Sequence, residues 1–216
     1  NAWTPVLGVR FADRVGKGIR TAPRDALVAD SIPERQRGLA FGIHRAADTG
    51  GAFLGLLIAL GVVWAAQSNQ VTLGQDTFQT LVLISIIPAV LAVLALAFGA
   101  RNVPVAGRRS APKITFRGLG KPFLMFMLIV GIWDLGNSSD AFLVLRAQER
   151  GLSVTGILGM LVTFNLVYTL ISAPAGSLSD RIGRRKLIIG GWLAYAILYL
   201  GFALAGKGWH IWALYT

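Results

Sequence analysis

Gly176-Ser177-Leu178-Ser179-Asp180-Arg181-Ile182-Gly183-Arg184-Arg185-Lys186 stands between two long apolar runs. A tight Gly/Asp/Arg connection of this kind joins two hydrophobic helices and holds cations on one side of a membrane. The rest of the chain has the same composition. Its apolar fraction is 54% and only 14% of residues are charged. The mean hydropathy is +0.61, whereas soluble domains carry about 25% charged residues. The net charge is +11, but the cations sit in connections or along one helix face. That distribution argues against a nucleic-acid-binding patch, so no nucleic acid partner is expected. The chain has no cysteine and only two histidines, His44 and His210. Neither a disulfide nor a structural zinc site is expected, and no metal or cofactor is implied.

A spanning helix needs about 20 mostly apolar residues. Such runs cover roughly 3–29, 38–66, 77–100, 122–145, 154–175 and 187–205. Backbone amides within lipid must be satisfied inside their own segment, so the runs read as helices. The fold class is all-α, a polytopic transmembrane helix bundle. Loops 30–37, 101–121 and 176–186 hold twelve Lys and Arg, and the alternate loops hold three, Arg146, Arg150 and Lys207. The richer set is expected in the cytoplasm. The connection 101–121 is the longest, with Pro104, Gly107, Pro112 and Gly118, and reads as a linker. The domains expected are therefore 1–100, a first bundle; 101–121, the linker; and 122–216, a second bundle.

The opening run is unusual. Arg10, Asp13, Arg14, Lys17, Arg20, Arg24 and Asp25 fall within an arc of about 140° on a helix. Charge in hydrocarbon costs about 3 kcal/mol per residue even on insertion scales, so this face should look into a bundle or a wet cavity. Five cations face two carboxylates there, which leaves room for carboxylates on other helices or for an anionic ligand. Pro23 should kink this helix. On the next helix His44 and Asp48 are four apart and form a candidate proton site, with Gly51 and Gly55 along the same stripe, and the small residues of the run from Gly50 to Gly55 allow close packing. Asp134, Asn137 and Ser138 share a face of a later span, and Asp134 is the best single candidate for protonation. Asn165, Tyr168, Thr169 and Ser172 form a polar stripe on the helix after it.

The segment quoted first resembles the cytoplasmic loop motif of the major facilitator superfamily, G-x-L-x-D-R-x-G-R-R/K, through Gly176, Leu178, Asp180, Arg181, Gly183, Arg184 and Arg185. The resemblance implies a transporter with twelve spans, of which this chain covers about helices four to nine and the start of helix ten. It implies parts of two six-helix halves joined by a cytoplasmic loop. Segment 10–18 resembles the family's helix-four arginine motif through Arg10, Gly16 and Gly18. Arg14 stands where glycine is usual. In that motif the arginine is linked to proton coupling. Gly50 to Gly55 resembles the helix-five antiporter stretch, with Leu56 in place of its proline. The motif's Asp180 and its basic neighbours imply a cytoplasmic latch, in which Asp180 meets the amides of the helix beginning near Gly38.

The function expected is secondary active transport of a small solute by alternating access, coupled to protons and directed to efflux. It would take place in the plasma (inner) membrane, with the lipid bilayer, a small-molecule substrate and protons as partners and a monomeric state. The alternatives are exchange of an anion or organic phosphate on Arg14, Lys17 and Arg20, and a scaffold that moves nothing. No nucleophile elbow or phosphate-binding loop favours an enzyme.

Overall fold

The computed structural model describes residues 4–67, 72–99, 118, 120–137 and 140–216. The described residues form helices and short connections, with no strand among them. In chain order they are α1 (Thr4–Asp30), a 3-10 turn (Glu34–Gln36), α2 (Arg37–Gln67), α3 (Gln75–Gly99), α4 (Lys121–Gly136), α5 (Asp140–Glu149), α6 (Val154–Ile182), α7 (Arg184–Leu204) and α8 (Gly208–Tyr215). Most of the expected linker 101–121 lies outside the described residues, as does Ser138.

Among the described residues, five stretches are long and apolar enough to cross a membrane: Glu34–Ala66, Gln75–Gly99, Lys121–Glu149, Val154–Ile182 and Arg184–Leu204. Most of their large apolar side chains face outward. α3 and α4 bury no residue, and Phe98 and Leu135 are 86% and 88% exposed. A soluble protein does not tolerate such surface, whereas lipid covers it without cost. α1 has helix length but too many charges to join these five. It runs unbroken through Pro23.

Two helices differ from the sequence expectation. The span expected over 122–145 is divided, with α4 ending at Gly136 and α5 starting at Asp140. Asn137 has extended backbone (φ −84°, ψ 103°). Gly costs backbone entropy in a helix and Asn and Ser bond locally in its place, and the sequence sets four such residues together in Gly136-Asn137-Ser138-Ser139. The loop expected over 176–186 is almost entirely helix. α6 continues to Ile182, and one residue, Gly183 with φ +95°, turns the chain into α7. Only glycine takes that conformation readily, and Arg181 in the last turn of α6 complements the helix dipole.

Packing centres on two places. α2 and α6 run antiparallel in close contact. At the other end of α6, Ala147, Ile157, Met160, Phe202, Ala205 and Ile211 form a buried cluster that joins α5, α6, α7 and α8. Small residues admit large ones there: Gly159 lies under Trp212 and Gly201 under Leu214. The connections at this end also meet, since the Arg150 guanidinium donates to the Gly206 carbonyl at 3.3 Å.

Candidate functional site

The seam between α2 and α6 begins at the basic end. The first amides of α2 have no intrahelical acceptor. Asp180 reaches across and accepts from Gly38 N at 3.0 Å and from Leu39 N at 2.9 Å. One carboxylate thus satisfies two orphan donors and places its charge at a helix N-terminus. The contact also brings the connections around 30–37 and 180–184 to one end of the molecule. It forms because the backbones nearly touch. Gly176 lies against the Gly38 carbonyl and 3.0 Å from Gly42 Cα, measured from the position a β-carbon would take, and a β-carbon on Gly42 would lie 2.6 Å from the Ser172 carbonyl. Further along, Thr169 Oγ1 lies 3.0 Å from Thr49 Oγ1 and 2.7 Å from the Asn165 carbonyl, its one proton shared between the two acceptors. The seam therefore has a charged clasp at its end, glycines near it and a hydroxyl pair deeper in.

The packing surface matches the one read in the sequence only at Gly50, whose would-be β-carbon lies 3.5 Å from Thr169 Cγ2. Gly51 and Gly55 have nothing within 4 Å of a would-be β-carbon. The seam uses Gly38 and Gly42 on α2 and Ser172 and Gly176 on α6 instead. Both are small-xxx-small pairs at a spacing of four, a signal present in the sequence. Thr49, Gly42 and Tyr195 are the contact residues that sequence reasoning missed.

The remaining candidates are spread out. Arg10, Asp13, Arg14, Lys17 and Arg20 lie exposed along α1, and none has an ion pair among the described residues. Lower on α1, Arg24 pairs with Asp25 at 3.1 Å. Asp48 lies 3.8 Å from Arg45, one helical turn back, so its charge neighbour is Arg45. Asp134 is exposed near the end of α4. Asn137 accepts from the Tyr195 hydroxyl at 2.6 Å, just where α4 stops. Below it Trp133 stacks on Trp192 with ring centroids 4.6 Å apart. Asn165 donates to the Leu161 carbonyl at 2.8 Å, a bond within its own helix. Arg181, Arg184 and Arg185 surround Gly183 on an exposed surface.

A basic hairpin with a helix-capping aspartate, between helices suited to lipid, is the arrangement that the comparisons bear on. The family description "Major Facilitator Superfamily" matches residues 1–216. The chain belongs to the Major Facilitator Superfamily. It is 33% identical over 208 residues to an uncharacterized MFS-type transporter of Methanocaldococcus jannaschii. That alignment covers 94% of this chain and 50% of the relative, so the chain spans about half the length of the curated relative it matches. No solved structure matches. As a superfamily member the chain is an integral membrane protein of a transporter family, with an all-α transmembrane bundle.

Proposed function

We propose that this chain forms part of a secondary active transporter that moves a small solute by alternating access, with residues 1–100 and 122–216 in different bundles. The carrying observation is the Asp180 carboxylate on the amides of Gly38 and Leu39. It ties a helix of the first bundle to a helix of the second by contacts that are strong enough to hold and weak enough to release. A helix-terminus charge of this kind contributes about 0.3–1 kcal/mol, the scale needed for a gate that opens repeatedly. In this reading the basic end faces the cytoplasm of a cell whose plasma membrane holds the protein. Closing the seam at that end leaves the solute path open at the other.

Proton coupling completes the reading, directed to efflux. Asp134 lies on α4 one turn before Asn137, where the helix stops, and broken helices in transporters line binding sites. An intramembrane carboxylate without an ion partner among the described residues is suited to carry a proton. A second reading rests on α1. Its cations Arg10, Arg14, Lys17 and Arg20 outnumber Asp13 and have no carboxylate partner among the described residues, which suits exchange of an anion or an organic phosphate.

One flux experiment on the full-length protein in vesicles separates the two. An imposed pH gradient should drive solute movement in the wild type, and Asp134→Asn should lower that flux by at least about tenfold, the order of a lost proton relay. Flux that ignores the pH gradient and follows a counter-anion gradient would favour the second reading. Wild-type flux in Asp134→Asn would remove Asp134 from the mechanism.

A further inference from the structure

The geometry points to a binding site for one anionic phospholipid in the cleft between α2, α6 and the start of α7, with its phosphate among Arg37, Arg45 and Arg184 and an acyl chain over Phe41, Leu187 and Ile188. The cleft has a volume of about 750 Å³ and opens at the basic end of the molecule. On α2 the lining alternates, with Arg37 at the helix end, Phe41 one turn in and Arg45 a turn beyond it, while on α7 Arg184 precedes Leu187 and Ile188. Arg37, Arg45 and Arg184 hold its charged part, and Phe41, Leu187 and Ile188 supply apolar surface beside the glycine-lined seam. Among the described residues no carboxylate lines it.

The charge balance favours a ligand. Arg37 gives one terminal nitrogen to exposed Glu34 at 3.2 Å, but its Nε is buried with no hydrogen-bond partner. That shielded nitrogen is out of a ligand's reach, but the second terminal nitrogen of Arg37 has no partner among the described residues, and a phosphate oxygen would give it a charge-assisted bond. Arg45 reaches Asp48 only at 3.8 Å, too long for a hydrogen bond. Arg184 opens α7, whose N-terminus has no side-chain cap, so free amides and a cation coincide there. A soluble anion would satisfy these donors but leave the apolar walls wet. A detergent-like tail alone would leave the donors unpaired. A phospholipid in the leaflet at that end meets both needs.

The test uses the full-length protein purified in detergent, titrated with phosphatidylglycerol and analysed by native mass spectrometry. Wild type should retain one phosphatidylglycerol through mild activation and release phosphatidylcholine more readily. Arg184→Ala should weaken retention about fivefold, the effect of one cation near an acidic headgroup, and Arg184→Lys should retain it. Leu187→Trp should weaken retention with every arginine in place, because it fills the space for the chain. Thermal melting in the same detergent monitors folding, and the Arg184→Lys result separates charge loss from misfolding. Equal retention by wild type, Arg184→Ala and Leu187→Trp overturns the site. Displacement of the lipid by inorganic phosphate, with Leu187→Trp unaffected, overturns the lipid in favour of a free anion. Phosphatidylcholine held as firmly as phosphatidylglycerol overturns the role of the arginines.

Discussion

Gly42 and Gly51 lie nine residues apart on α2 and look equivalent in the sequence, yet they meet different surroundings. A β-carbon at Gly42 would fall 2.6 Å from the Ser172 carbonyl, whereas at Gly51 it would meet nothing within 4 Å. Gly42→Ala should therefore push α2 from α6 at a cost of about 1–3 kcal/mol, the range for overpacking a tight contact. Gly51→Ala should change nothing. The chain has no cysteine, so disulfide crosslinking between Thr49→Cys and Thr169→Cys reads the separation without background. Crosslinking should fall in Gly42→Ala and persist in Gly51→Ala. At this scale the sequence reading found Asp180 and the helix start that donates to it, because a carboxylate and a helix N-terminus are both local signals. The choice between glycine stripes was not legible. It depends on which face of α2 meets α6, and apolar residues cover both faces in a membrane helix.

The hairpin of α6 and α7 turns on one residue. Gly183 has φ +95° with no steric neighbour, so its constraint is backbone conformation alone. Gly183→Ala should cost about 1–2 kcal/mol of left-handed strain, read as a lower midpoint for thermal unfolding in detergent. Gly190→Ala, in the middle of α7 with open space around it, should raise the midpoint slightly through helix propensity. The apolar runs identified the helices, but their ends were less legible. Hydropathy stops at Ala175, while hydrogen bonding carries α6 on to Ile182. A polar segment at a membrane surface is free to remain helical, since water and lipid headgroups accept its side chains. The opposite case is the interruption after Gly136. Hydropathy continues across it, and only the Gly-Asn-Ser-Ser string marks it.

Across the whole molecule two basic connections, 142 residues apart at Gly38 and Asp180, converge on one end. Composition and charge alternation made this legible, because they constrain topology without needing contacts. The α1 charge stripe was equally visible in the sequence. Its chemistry was not, since Arg10, Asp13, Arg14, Lys17 and Arg20 meet no partner among the described residues. The central claim is that the clasp between α2 and α6 is a gate, not a fixed joint. Electron–electron resonance distances between spin labels at Arg35→Cys and Lys186→Cys, in the full-length protein in lipid, test it most directly. The account predicts two distance populations, with Asp180→Asn moving weight from the short one to the long one by about two- to fivefold. A single distance, the same with and without the Asp180 charge, would contradict it.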